Sequence, residues 1–188
     1  MDRSAQKAPP VETTPSPVVP AARAFEDLYG QYFDFVWRSL RRLGVPKELL
    51  EDATQDTFVV VHRRLADLRP EASAKAWTFG IALRVARDYR RSQRRKPTMS
   101  YDMDSTPSPS NGPFENAAAA QALRVLERFL GTLDEDKRAV FVLAELEEMS
   151  APEISEALGG SVNTIYSRLR IARERFVAFL AGQGGSHE

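Results

Sequence analysis

Apolar residues recur at three- and four-residue spacing along most of the chain, and each such run reads as one face of a helix. Phe25, Leu28, Tyr29, Tyr32, Phe33, Val36, Leu40 and Leu43 predict a helix over 24–43, stopped by Gly44-Val45-Pro46. Leu50, Ala53, Phe58, Val61 and Leu65 predict a second over 47–66; the valines at 59–61 have strand character, but the flanking pattern overrides them. A third begins near residue 72 with Ala76, Trp77, Phe79, Ile81, Leu83, Val85, Ala86 and Tyr89, and runs into a basic segment. From about residue 115 four more are expected: one lined by Leu123, Leu126, Phe129 and Leu130, one by Val140, Leu143, Ala144 and Leu146, and a final pair. No segment is convincing as a strand, so the predicted fold class is all-α, with two small helical domains.

The final pair, SAPEISEALGGSVNTIYSRLRIARERF from Ser150 to Phe176, is a helix-turn-helix pattern. Ser150 and Glu153 form a capping box, and Pro152 is tolerated because it falls in the first turn. Gly159-Gly160 stops the first helix, and Ser161 caps a second whose apolar positions are Val162, Ile165, Leu169, Ala172 and Phe176. Its other face carries Asn163, Thr164, Tyr166, Ser167, Arg168, Arg170 and Arg173. Small hydrogen-bonding groups at the N-terminus followed by arginines suit a helix that enters the major groove. An ordinary helical hairpin with a solvated basic face is the competing reading.

Proline divides the chain. Five of the twelve prolines fall between Pro9 and Pro20 and four between Pro97 and Pro113. The expected layout is a disordered tail (1–22), a first domain (23–96), a flexible linker (97–115), a second domain (116–181) and a short tail (182–188). A flexible linker implies halves that move semi-independently, unless the second half closes onto the first.

The formal net charge of +0 hides segregation. Residues 84–96 hold seven basic side chains against Asp88 alone, whereas residues 134–156 hold eight acidic ones against Lys137 and Arg138. Local patches decide where a polyanion docks, and the acidic surface is suited to cover the basic third helix. The absence of cysteine excludes disulfides and thiolate chemistry. No apolar run is long enough to span a membrane, so a cytoplasmic protein without membrane insertion is expected. His62 and His187 have no partner at metal or triad spacing, and no phosphate loop occurs. No catalytic residue, metal or cofactor is therefore expected, and Asp134, Glu135 and Asp136 read as a helix N-terminal cluster.

Three motifs in order make the reading specific. Leu49-Leu50-Glu51-Asp52-Ala53-Thr54-Gln55-Asp56-Thr57-Phe58 resembles region 2.2 of bacterial sigma factors. Ala76-Trp77-Thr78-Phe79-Gly80-Ile81-Ala82 with Asp88-Tyr89-Arg90-Arg91 is similar to regions 2.3 and 2.4, and the stretch from Arg138 to Arg173 to region 4. With a linker between and no region 3 domain, the chain resembles the extracytoplasmic-function (ECF) sigma factors over about 25–180. It departs from the family pattern at Asn163, where Gly is usual, at Tyr166, where a basic residue is usual, and at Leu83-Arg84, where Arg-Asn is common.

The resemblance implies a promoter-specificity subunit that binds core RNA polymerase, opens the −10 element with its first domain and reads the −35 element with its second. Asp52, Gln55 and Asp56, one turn apart on one helix face, would meet the β′ clamp; spacing alone fits a solvated face equally well. Arg84, Arg87 and Arg91 would hold −10 DNA, with the base-capturing loop at about 67–75. Trp77 suits core anchoring better than base stacking, and Tyr89 fits either. Ser161, Asn163, Thr164, Tyr166, Ser167, Arg168, Arg170 and Arg173 would read the −35 duplex. Further implied partners are the β flap and an anti-sigma factor. A stand-alone helix-turn-helix regulator and a sigma-like decoy for an anti-sigma factor are the alternatives.

Overall fold

A computed structural model of the chain describes residues 21–69, 73–95 and 113–184. The N-terminal tail to residue 20, residues 70–72 of the expected base-capturing loop, the linker over 96–112 and the last four residues lie outside the described residues. The described chain folds into α1 (Ala21–Arg42), α2 (Leu50–Arg64), α3 (Ala74–Arg95), α4 (Pro113–Thr132), α5 (Glu135–Phe141), α6 (Ala151–Leu158) and α7 (Val162–Gly184), without a strand among the described residues.

Several boundaries differ from expectation. The second helix is flanked by 3-10 turns at Lys47–Leu49 and Leu65–Asp67, the first closed by Leu49 N–H on the Pro46 carbonyl at 3.0 Å. Pro46 has no N–H and fixes its own φ, so the chain leaves it through a tight turn before the α-helical ladder begins. Helix α5 widens into a π turn at Val142–Leu146, and Glu147 N–H reaches back to the Val142 carbonyl at 3.1 Å. Helix α4 begins inside the expected linker, α1 begins inside the expected tail, and α7 continues past residue 181.

Helices α1, α2 and α3 pack on one another around Val36, Leu40, Leu50, Ala53, Val61, Phe79 and Ile81, all essentially inaccessible. Of the valines at 59–61 that hinted at a strand, Val59 points outward and Val61 is buried in the helical core. Thr54 and Thr57 are buried without loss because each hydroxyl donates to the carbonyl four residues earlier at 2.7 Å. In the second half α7 packs against α5 and α6. Phe129 of α4 meets Phe141, Phe176 and Phe179 with ring centroids 5.1, 4.8 and 5.6 Å apart, the first pair edge-to-face and the other two tilted.

The two halves are docked rather than separate. Helix α6 lies against α3 where Gly80 has no side chain; a Cβ there would stand 2.9 Å from the Ala157 carbonyl oxygen. Buried Arg138 of α5 donates from Nη1 to the Leu43 carbonyl at 3.1 Å, beneath the turn formed by Gly44 at φ 89°. Glu147, placed by the π turn, is buried against Arg42 and lies 3.4 Å from Lys75 Nζ, which also donates to the Glu147 carbonyl at 2.9 Å. Burial pulls the Arg42 guanidinium below its ordinary range, opposed by the charge of Glu147. Arg41 and Glu127 close a further ion pair at 2.6 Å.

Candidate nucleic-acid interface

The helix-turn-helix forms as its sequence expects. Ser150 donates both its N–H (2.8 Å) and its hydroxyl (2.6 Å) to Glu153 Oε2, opening α6. Those bonds hold the Glu153 carboxyl below its usual range. Gly159 and Gly160 take φ of 73° and 101°, which only glycine adopts cheaply, and redirect the chain into α7. Ser161 Oγ accepts from Thr164 N–H at 3.1 Å and lies 2.9 Å from the Thr164 hydroxyl, so both side chains are spent on the cap. Ile165, Leu169 and Ala172 are buried, which turns Asn163, Tyr166, Ser167, Arg170 and Arg173 outward.

This face divides in two. Asn163, Tyr166 and Ser167 make no side-chain hydrogen bond among the described residues, and Tyr166 is 58% exposed. Each arginine has an acidic partner: Arg168 meets Asp136 at 2.6 Å, Arg170 meets Glu174 at 2.6 Å and Arg173 meets Glu145 at 2.7 Å. The hydrogen-bonding end is free and the cationic end is internally neutralised.

On α3, Arg84, Arg87 and Arg91 are all exposed along one side. Arg84 and Arg91 have no partner among the described residues, whereas Arg87 is paired with Glu135 and lies 3.5 Å from Asp136. Arg90 lies 3.7 Å from Glu135. These acidic residues are the first turn of α5, where Asp134 caps the helix by accepting from Lys137 N–H at 3.0 Å. The Lys137 side chain, also bonded, is the main reason the Asp134 carboxyl sits below its ordinary range. Trp77 is half-buried against the core, as expected of an anchor.

On α2, Glu51, Asp52, Gln55 and Asp56 are exposed while Ala53, Thr54, Thr57 and Phe58 are buried. Asp56 Oδ2 accepts from the Tyr89 hydroxyl of α3 at 2.7 Å, and partial burial followed by Asp56 pushes that phenol up to about 12. Gln55 borders a groove of about 530 Å³ between α1 and α2, lined by Tyr29, Phe33, Trp37, Phe58 and Val59. Sequence reasoning placed Tyr29, Phe33 and Phe58 on the apolar stripes of their helices and made no assignment for Trp37. The signal available was their excess: Tyr29 and Phe58 lie tilted to each other with centroids 4.6 Å apart, yet Tyr29 remains 42% exposed.

Two helical units thus carry an exposed carboxylate-bearing helix, an arginine-striped helix and a helix-turn-helix, an arrangement suited to binding nucleic acid. Residues 28–96 match the sigma-70 region 2 family and residues 123–176 match sigma-70 region 4. The chain is 32% identical to the RNA polymerase sigma factor CnrH of Cupriavidus metallidurans over 84% of its own length and 87% of that protein. The solved structure of CnrH in complex with the cytosolic domain of CnrY aligns with a TM-score of 0.65 at 30% identity, covering 86% of this chain and 90% of the other. The sigma factor RpoE of Bartonella quintana, solved with the anti-sigma factor NepR, shares the fold at a TM-score of 0.69 and 19% identity, covering 85% and 98%. The chain belongs to the ECF sigma factors of the sigma-70 family. Its relatives are sigma factors, which are not enzymes. No described helix is long and apolar enough to cross a membrane.

Proposed function

We propose that this chain binds core RNA polymerase in the cytoplasm and directs it to a defined set of promoters, with residues 23–96 and 116–181 as its two working domains. The observation that carries this is the presence of both sigma regions, in order, on two helical units whose candidate residues are exposed apart from half-buried Thr164 and Arg168. Asp52, Gln55 and Asp56 are assigned to the β′ clamp, with the aromatic groove beside Gln55 supplying apolar area to the same contact. Arg84, Arg87 and Arg91 are assigned to −10 DNA, as phosphate-holding groups. Asn163, Tyr166 and Ser167 are assigned to base edges of the −35 element, and Arg168, Arg170 and Arg173 to its backbone. Ser161 and Thr164 hold the helix start, and the N-terminal end of α7 that they fix is assigned to a phosphate of the same element. The second half would also meet the β flap.

An anti-sigma factor belongs to the same proposal, supported by CnrH having been solved with the cytosolic domain of CnrY. The deciding experiment is transcription from a promoter library with purified core enzyme. Defined start sites that appear only when this chain is added establish the function. Duplex binding without starts would identify a stand-alone regulator, and neither activity, with capture of an anti-sigma factor, a decoy.

A further inference from the structure

The groove between α1 and α2 exposes more aromatic ring than the packing of the two helices requires. Phe25, Tyr29, Phe33 and Trp37 recur at every fourth residue of α1 and line it together with Phe58 and Val59 of α2. A four-residue repeat keeps to one side of a helix, so this ladder runs about 18 Å from Phe25 to Trp37 at about 1.5 Å per residue. Tyr29 and Val59 remain 42% and 40% exposed along it. An open trough of aromatic rings is the surface that extended, proline-rich chain recognises. Such chain arrives with its backbone already restricted and sets its pyrrolidine rings and side chains against the aromatic faces.

A segment of that chemistry is attached to the groove's own helix. Pro20 immediately precedes α1, which begins at Ala21, one turn before Phe25. Prolines at 9, 10, 15, 17 and 20 remove N–H donors, fix φ and bias the residue before each away from helix. The three-residue turn of a polyproline helix would place Val11, Thr14 and Pro17 on one face, and none of them is charged. From Val11 to Pro17 such a strand spans about 19 Å at about 3.1 Å per residue, the length of the aromatic ladder. Val18, Val19 and Pro20 are left for the reversal that leads into α1. We propose that residues 11–17 occupy the α1–α2 groove in cis, as a polyproline-type strand antiparallel to α1.

The tether makes weak contacts sufficient, because a ligand on so short a connection acts at an effective concentration on the order of millimolar. A second copy of the chain is a poorer occupant: a twofold pair would set one trough against another and fill neither. Core polymerase would have to displace residues 11–17 before using the groove. That consequence alone rests on the assignment of the groove to the polymerase contact, and it is read out separately.

The chain has no cysteine, so Thr13→Cys carries a single nitroxide label off the docking face of the full-length protein. Its two tryptophans give two indole N–H resonances; Trp37 lines the groove and Trp77 does not. The Trp37 signal is expected to be lost with the nitroxide oxidised and recovered on its reduction, with Trp77 attenuated less. Val11→Ser with Pro17→Ser should restore most of the Trp37 signal. Pro10→Ser with Val19→Ser changes the same residue types off the docking face and should restore much less. All four positions precede α1, so neither pair disturbs the packed helices. Equal restoration by the two pairs, or none by either, would overturn the proposal. So would attenuation passing from spin-labelled to isotope-labelled molecules in a mixed sample, which would seat a second copy in the groove. Val11→Ser with Pro17→Ser should also raise affinity for core polymerase on the order of tenfold, as when an open form about one tenth populated becomes dominant. A restored Trp37 signal with unchanged affinity would keep residues 11–17 in the groove and remove the groove from the polymerase contact.

Discussion

The Tyr89 hydroxyl donates to Asp56 at 2.7 Å, so a side chain of the arginine-bearing helix fixes the carboxylate assigned to polymerase docking. With Tyr89 removed, Asp56 keeps its charge and loses its orientation. Tyr89→Phe is therefore expected to weaken binding to core polymerase about fivefold, the scale of one hydrogen bond. Asp56→Arg is expected to abolish it, since it sets like charge against the partner's basic surface. A pull-down titration against core enzyme distinguishes the two. The pH dependence runs upward: a phenol raised from its ordinary 10 to about 12 stabilises the fold fully below pH 10 and loses that contribution as pH rises through about 12. Phenolate absorbance should show one late-titrating tyrosine that Tyr89→Phe removes.

Much of this was readable from local pattern and some was not. Gly44-Val45-Pro46, Gly159-Gly160 and the Ser150–Glu153 box punctuate the chain within a few residues, so the helices they bound were placed closely. The exposed Asp52, Gln55 and Asp56 followed from one-turn spacing around buried Ala53 and Phe58. The docking of the halves depends on Arg42 with Glu147 and Arg87 with Glu135, pairs far apart in sequence that carry no local signal. Charge segregation announced only that such a cover was available. The π turn that aims Glu147 inward has no sequence signature. The aromatic groove was hidden because Phe25, Tyr29, Phe33 and Trp37 keep helical spacing whether they face a core or a partner.

Gly44 ties the first half's main turn to the second half. Its φ of 89° penalises any side chain, and a Cβ would stand 2.6 Å from Arg138 Nη1. Gly44→Ala should cost about 2 kcal/mol, of which roughly 1–2 is backbone strain. Gly30, inside α1 with nothing near its Cβ position, gives the opposite sign: Gly30→Ala should gain about 0.5–1 kcal/mol from helix propensity. Urea unfolding of both variants tests the contrast, and equal effects would remove the Arg138 contact as the cause.

The caps of α5 and α6 predict acid sensitivity. Asp134 and Glu153 are both held below their ordinary carboxyl range, mainly by side-chain hydrogen bonds to Lys137 and Ser150. A depressed carboxyl stabilises the folded state above its unfolded pKa of about 4 and loses that contribution as pH falls through the lower folded value. Ser150→Ala should cost about 1 kcal/mol at neutral pH, typical of a lost N-cap, and progressively less as the pH is lowered below about 4. Unfolding titrations of wild type and variant at neutral and acidic pH would show the curves converging. A pH-independent gap would assign the effect to helix propensity alone.

On the recognition helix the cap and the base-reading role fall to different residues. Ser161 supplies the N-cap to Thr164 N–H, which leaves the Asn163 amide exposed and free to pair with an adenine edge. Asn163→Ala should therefore lose about 1–3 kcal/mol on the cognate −35 duplex, much less on mismatched DNA, and little in stability. Arg173 lies further along α7 and is already paired with Glu145 at 2.7 Å, so it must exchange one acidic partner for another when it meets a phosphate. Arg173→Ala should weaken all sequences alike and reduce the salt slope by about one unit. Glu145→Gln should act in the reverse sense, strengthening every duplex, because it releases Arg173 without touching a base. Binding of a −35 duplex and its single-base variants at two salt concentrations separates the three. If Asn163→Ala weakens every duplex equally, base reading passes to Tyr166 and Ser167, the other exposed side chains of that face without a hydrogen-bond partner among the described residues.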